Sequence, residues 1–220
     1  QGAVRKFMKN KFETKLVDLS FVVGGKAGGV IGMHMRRSER LVWLTYSITM
    51  EGFAFLPLDA GYGGQVVAYR LRDSEAAVCC VDEWKSGAVG RLACAASLEG
   101  MKSGHLLMIC VSNDKGYMFY TSGSTGNPKG VIIGQRNVPS LLSWLGSNSH
   151  PLDCSDVLLW QSSISFDIFV MNAYLPLCFE AKFAIVTSSS DSLVGLMILA
   201  QVSVCFLVQS QAYIVLRSTN

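Results

Sequence analysis

The chain has 220 residues, of which 50% are apolar and 16% charged, with a net charge of +3. That much apolar material offsets the entropy of ordering, which excludes an intrinsically disordered chain, and the length suits one large domain or two small ones. Lys and Arg are scattered apart from Arg36, Arg37 and Arg40. No basic stripe therefore points to nucleic acid, and that cluster reads as solvated charge on a helix surface.

Residues 1–16, QGAVRKFMKNKFETKL, lack the apolar stretch that would make them a signal peptide. Residues 29–35 (GVIGMHM) predict a strand, and 38–50 a helix with Glu39 in its first turn. A second strand follows at 53–58, and then a helix at 65–72 with Val66, Tyr69 and the stem of Arg70 on one side. Residues 76–81 (AAVCCV) show no alternation and read as a strand buried on both faces. Residues 83–104 read as a surface connection. Strands are expected at 106–111, 117–121 and 131–133, and a helix at 136–145.

A strand at 157–160, a helix at 168–179 and a strand at 183–187 come next. Ser188 to Ser190 reads as a turn before a helix capped near Asp191. The last apolar run, 193–208 (LVGLMILAQVSVCFLV), has 16 residues. A bilayer needs about 20, so a buried helix followed by a buried strand is expected instead. The strand–helix alternation predicts an α/β fold with a layered, largely parallel sheet flanked by helices.

Most of the seven cysteines lie in apolar runs (Cys79, Cys80, Cys94, Cys110, Cys178, Cys205), and none shows the pair spacing of a zinc knuckle. Reduced, buried thiols in a cytoplasmic protein account for them. His34, His105 and His150 have no metal-ligand spacing.

The segment with most chemistry runs from Tyr120 to Gly130, YTSGSTGNPKG, between the apolar residues GYMF and VII. Gly123 and Gly126 let the backbone approach an anion closely and take positive φ. Thr121, Ser122, Ser124 and Thr125 supply hydroxyls, and the amides of such a bend can form a concave anion nest. Lys129 adds a positive charge. Each charge-assisted bond to phosphate contributes about 1.5–3 kcal/mol, so a few hold a polyphosphate. The loop is not a Walker A motif, because Lys129 precedes Gly130 and an expected buried strand, not Ser or Thr and a helix.

Tyr120 to Val131 matches throughout the Y-T-S-G-S/T-T-G-x-P-K-G-V signature of the adenylate-forming superfamily, which it therefore resembles. Two further segments resemble motifs of the adenylation domains of nonribosomal peptide synthetases. Residues 52–62 (GFAFLPLDAGY) are similar to G-x-x-Y-V-P-L-D-P-x-Y-P, and Ser165-Phe166-Asp167 with Tyr174 to Leu177 is similar to the F-D-x-S block and its L-P-L helix. The resemblance implies an ATP-dependent enzyme, with ATP and Mg2+ as cofactors. An amino acid or other carboxylic acid would attack the α-phosphate, pyrophosphate would leave, and the acyl-adenylate would pass to the thiol of a phosphopantetheinyl carrier protein. Thr121, Ser122, Gly123, Ser124, Thr125, Gly126 and Lys129 would bind the nucleotide phosphates. Asp167, with Phe166 beside it, would bind the substrate, its carboxylate pairing with the α-amino group; the alternative from the residues alone is a helix N-cap.

The chain departs from the pattern at Ala60 and Gly63 (prolines), Glu51 (a basic residue), Gln135 (histidine), Phe169 (serine) and Gln209 (proline). By the resemblance, residues 21–220 are a partial domain that stops before the adenine- and ribose-binding motifs and the catalytic C-terminal lysine, and residues 1–20 match poorly. The chain alone is then expected to be weakly active or inactive. An acyl- or aryl-CoA ligase fragment and a non-catalytic remnant are the alternatives, with no nucleic-acid or membrane partner in any of them.

Overall fold

The computed structural model describes residues 28–76, 78–81, 115–123, 126–145, 152–186 and 193–218. The expected strand at 106–111, the connection at 83–104, the turn and cap at 188–191, and Ser124, Thr125, Cys94, Cys110, His105 and His150 lie outside them.

The chain begins its first sheet with β1 (Val30–Met35), continues through α1 (Glu39–Met50) into β2 (Ala54–Asp59), and through α2 (Gly64–Asp73) into β3 (Val78–Val81). A hairpin follows, β4 (Lys115–Thr121) and β5 (Lys129–Gly134), then α3 (Asn137–Trp144). A second sheet is built from β6 (Val157–Trp160), β7 (Lys182–Ile185) and β8 (Val204–Cys205), with α4 (Ile168–Cys178), α5 (Leu193–Leu199) and α6 (Gln209–Ser218). The first sheet has the order β3-β1-β2-β4-β5, parallel except for β5; the second has the order β7-β6-β8 and is all parallel.

Helix α1 starts where Ser38, in extended backbone, accepts the Leu41 amide at 3.3 Å, with Glu39 favourably placed against the helix dipole. Residues Leu41 to Ile48 are all buried. A helix buried on every side must satisfy its own polar groups, and Thr45 and Ser47 do so by donating to the carbonyls of Leu41 and Trp43 at 2.8 and 2.9 Å. Helix α4 is equally enclosed, and Tyr46 of α1 meets Tyr174 of α4 with ring centroids 4.6 Å apart. Residues of β1, α1, β4, β6 and α4 form one buried cluster, so a single core joins both sheets. A smaller cluster on the opposite face of the first sheet is closed by Val67 and Leu71 of α2.

Three expectations are corrected. The inward stripe of α2 is Val67 and Leu71, whereas Val66 and Tyr69 are 40% and 37% exposed. Strand β5 is not buried: among the described residues it pairs only with β4, at the sheet edge, and Val131 and Ile132 stand 42% and 46% open. The run 193–208 does form a helix and a strand, but α5 contains no buried residue. It lasts seven residues and ends before Gln201, which takes φ 52°. No helix among the described residues is long and apolar enough to cross a membrane.

Candidate functional site

Strands β1, β2 and β4 are parallel, so their carboxyl ends, at Met35, Asp59 and Thr121, leave the sheet on the same edge. In open α/β sheets this edge is where ligands bind. Two of the segments that the sequence singles out are tied together there. The Asp59 carboxylate accepts the Gly61 amide at 2.9 Å through Oδ1 and the Ser163 hydroxyl through Oδ2. The Asp59 amide donates to Ser165 Oγ at 3.1 Å, and the Ser165 amide to Ser163 Oγ at 3.3 Å. Residues 52–62 and the block around Phe166 and Asp167 are thus one hydrogen-bonded unit.

Arg37, one turn of chain beyond β1, holds the second sheet against this edge. Its Nε donates to the Val186 carbonyl at 2.8 Å, and one terminal nitrogen donates to the carbonyls of Gln161 at 2.8 Å and Ser162 at 3.3 Å. Those acceptors follow β6 and β7 directly. Arg37 is therefore not the solvated helix charge that its neighbourhood in sequence suggests; it precedes α1 and binds main chain 124 to 149 residues away. Met35, Arg36, Arg37, Asp59, Ala60 and Ile164 line a cleft here.

Asp167 stands at the N-cap position of α4, where its Oδ1 accepts the Ile168 amide at 2.9 Å, and the residue is exposed. One carboxylate oxygen caps while the group as a whole faces out. Burial first, and then the Asp167 charge, push the Tyr117 phenol of β4 above its ordinary value, so this carboxylate acts on the strand that leads into the loop. Phe166 is 64% exposed beside it.

In the loop, Thr121 and Ser122 are exposed, and the register Thr121↔Lys129 closes the hairpin. Gly126 takes φ 90°, which a β-carbon would resist, and its amide donates to the Gly123 carbonyl at 3.1 Å. A β-carbon on Gly123 would collide with the Asn127 carbonyl. Backbone closeness and positive φ are what an anion nest requires. Lys129 is exposed on the outgoing strand. Ser124 and Thr125 lie outside the described residues. Sequence reasoning assigned no individual role to Asp59 or Ser163 and read Arg37 as surface charge; the available signals were an aspartate and an arginine each placed at the end of a buried strand.

Among the described residues no three His, Cys, Asp or Glu side chains gather as a metal site. Cys79, Cys80, Cys154, Cys178 and Cys205 are free thiols, the first two buried as expected and Cys154 exposed.

A family model described as AMP-binding enzyme matches residues 19–220. The chain is 32% identical over 169 residues to vanchrobactin synthetase VabF of Vibrio anguillarum, covering 74% of this chain and 6% of that protein. It is 32% identical over 188 residues to malpinin synthetase of Mortierella alpina, covering 82% of this chain and 2% of that protein. The chain thus spans a small fraction of these relatives. Among solved structures, the nonribosomal peptide synthetase FmoA3 in its alpha-methyl-L-serine-AMP bound form has a TM-score of 0.79 at 20% identity, over 91% of this chain and 23% of that one. The o-succinylbenzoate CoA synthetase of Bacillus subtilis, in complex with its acyl-adenylate intermediate, has a TM-score of 0.75 at 14% identity, over 94% and 56%. At these identities the structural likeness establishes the fold.

Proposed function

Since the chain belongs to the AMP-binding enzyme family, we propose that it is the phosphate-gripping and substrate-orienting part of an amino-acid-activating adenylation domain. The observation that carries this reading is the glycine- and hydroxyl-rich hairpin turn on the carboxyl edge of a parallel sheet, with Lys129 on its outgoing strand. In the reaction the substrate carboxylate oxygen bonds to the α-phosphorus of ATP, the bond from that phosphorus to the bridging oxygen breaks, and pyrophosphate leaves with the electron pair. The loop amides, the hydroxyls of Thr121, Ser122, Ser124 and Thr125, and Lys129 hold the β- and γ-phosphates as that charge develops. Mg2+ would arrive with the nucleotide and would help neutralise the charge of the leaving pyrophosphate. The acyl-adenylate then passes to a carrier-protein thiol, releasing AMP.

Asp167 is the substrate-side residue. Its outward carboxylate at the start of α4 offers a partner for an α-ammonium, with Phe166 alongside. Capping Ile168 does not compete, because a carboxylate accepts several bonds at once. The likeness to a CoA synthetase favours a second reading, an acyl- or aryl-CoA ligase, in which Asp167 caps only.

Amino-acid-dependent ATP–pyrophosphate exchange by the full-length polypeptide that carries this chain tests both. Lys129→Ala removes one charge-assisted bond and is expected to slow exchange roughly 10- to 150-fold with folding intact. Equal rates would remove the loop from the mechanism. Asp167→Ala is expected to relax the demand for an amino group; discrimination between amino and deamino acids that stays as before would leave capping as its whole role.

A further inference from the structure

We propose that helix α2 is the fixture of the phosphate loop, with Tyr69, Arg70 and Asp73 as positioning residues that hold both ends of the β4–β5 turn; the role rests on reading residues 121–129 as a phosphate site. Among the described residues, strand β5 is an open edge. Within the turn the described bonds are short-range: the Gly126 amide to Gly123, and the Thr121 hydroxyl to the Lys129 carbonyl at 3.5 Å. The hairpin therefore depends on outside contacts to keep one shape.

Helix α2 supplies them at both ends. On the incoming side, the Tyr120 hydroxyl donates to Asp73 Oδ2 at 2.7 Å, with the Arg70 carbonyl a second acceptor at 3.1 Å. On the outgoing side, the Tyr69 hydroxyl donates to the Pro128 carbonyl at 3.1 Å. The two tyrosine rings meet edge-on, 6.3 Å apart at 64°. The Arg70 guanidinium lies 4.5 Å from the Tyr62 ring and 5.0 Å from the Tyr120 ring, and its buried Nε has no hydrogen-bond partner among the described residues. Ring faces hold that cation in place. Tyr62 follows the Asp59 unit, so the same stack joins the loop to the other segments at this edge. The helix is a rigid reference because Val67 and Leu71 are locked into the buried cluster that also contains Met118 of β4. Burial and the hydrogen bond to Asp73 push the Tyr120 phenol upward, which keeps it a donor across physiological pH.

The test uses the full-length polypeptide that carries this chain, and two readouts. Amide hydrogen exchange is followed without nucleotide in wild type, Tyr69→Phe, Asp73→Ala and the double variant. Exchange at Thr121, Ser122, Gly126 and Asn127 is expected to accelerate roughly 5- to 20-fold in the double variant, with β1 and α1 unchanged, and Asp73→Glu to restore part of the Tyr120 contact. Pyrophosphate with magnesium, titrated calorimetrically, is expected to bind the double variant roughly 5- to 10-fold more weakly. Loop exchange identical in wild type and double variant overturns the fixture, even where wild type binds pyrophosphate. A wild type that takes up no pyrophosphate, while the variants still loosen the loop, overturns the phosphate reading and leaves the anchor standing.

Discussion

Helices α1 and α5 are both rich in apolar residues, yet eight consecutive residues of α1 are buried and none of α5 is. The difference lies in what faces them. Helix α1 packs on β1 and β2 and against α4, inside the core that joins the two sheets. Helix α5 lies at the margin against α6, with Ile198 and Leu199 at 73% and 82% exposure. Apolar composition states what a segment can bury; the number of elements around it decides what it does bury.

The widest gap between the two regions is expected at Leu44, which is fully buried in α1. Leu44→Ala should cost about 2–5 kcal/mol in urea unfolding, as a transfer loss plus a cavity. A smaller effect is expected where the regions are joined. Arg37→Met removes donors from the carbonyls of Gln161, Ser162 and Val186, and a loss of about 1.5–3 kcal/mol in the same assay follows from the worth of a charged hydrogen bond. Hydrogen exchange in β6 and β7 should rise before that in β1; a uniform rise would mean that Arg37 does not join the sheets.

Alkaline pH separates core from margin through the thiols. Burial pushes Cys80 up from 9.0 to about 12, with Cys79 adding to the shift. The unfolded thiol loses its proton near its ordinary value while the folded one keeps it, so stability is full below about pH 9 and falls between 9 and 12. Urea midpoints at pH 8 and pH 10 should differ less in Cys80→Ala than in wild type, whatever the variant's absolute stability. The smallest effect is expected at the margin, where Leu199→Ser should shift the unfolding midpoint by less than about 0.5 kcal/mol.

The parts of the fold legible in sequence are those that depend on near neighbours. Glu39 ahead of an apolar run marks the first turn of α1, the unalternating VCCV marks a buried strand, and VLLW marks a further strand. The glycine- and hydroxyl-rich run from Tyr120 to Gly130 stood out because its residues are contiguous. What escaped depends on partners far along the chain. The segment GQVVAYRLRD offers two apolar stripes, Val66 with Tyr69 and Val67 with Leu71, and only the position of the sheet selects the second. The residues VII of β5 read as buried because a strand's place in the sheet order is not a local property. Arg37 and Asp59 find their acceptors and donors more than 100 residues away.

Among the described residues, Arg37 donates to peptide carbonyls alone. The identities of the side chains at Ser162 and Val186 therefore contribute nothing to that grip, and the segment leading toward Phe166 and Asp167 can drift in sequence while its path stays put. A contact of this kind specifies a course for the chain without specifying the residues along it.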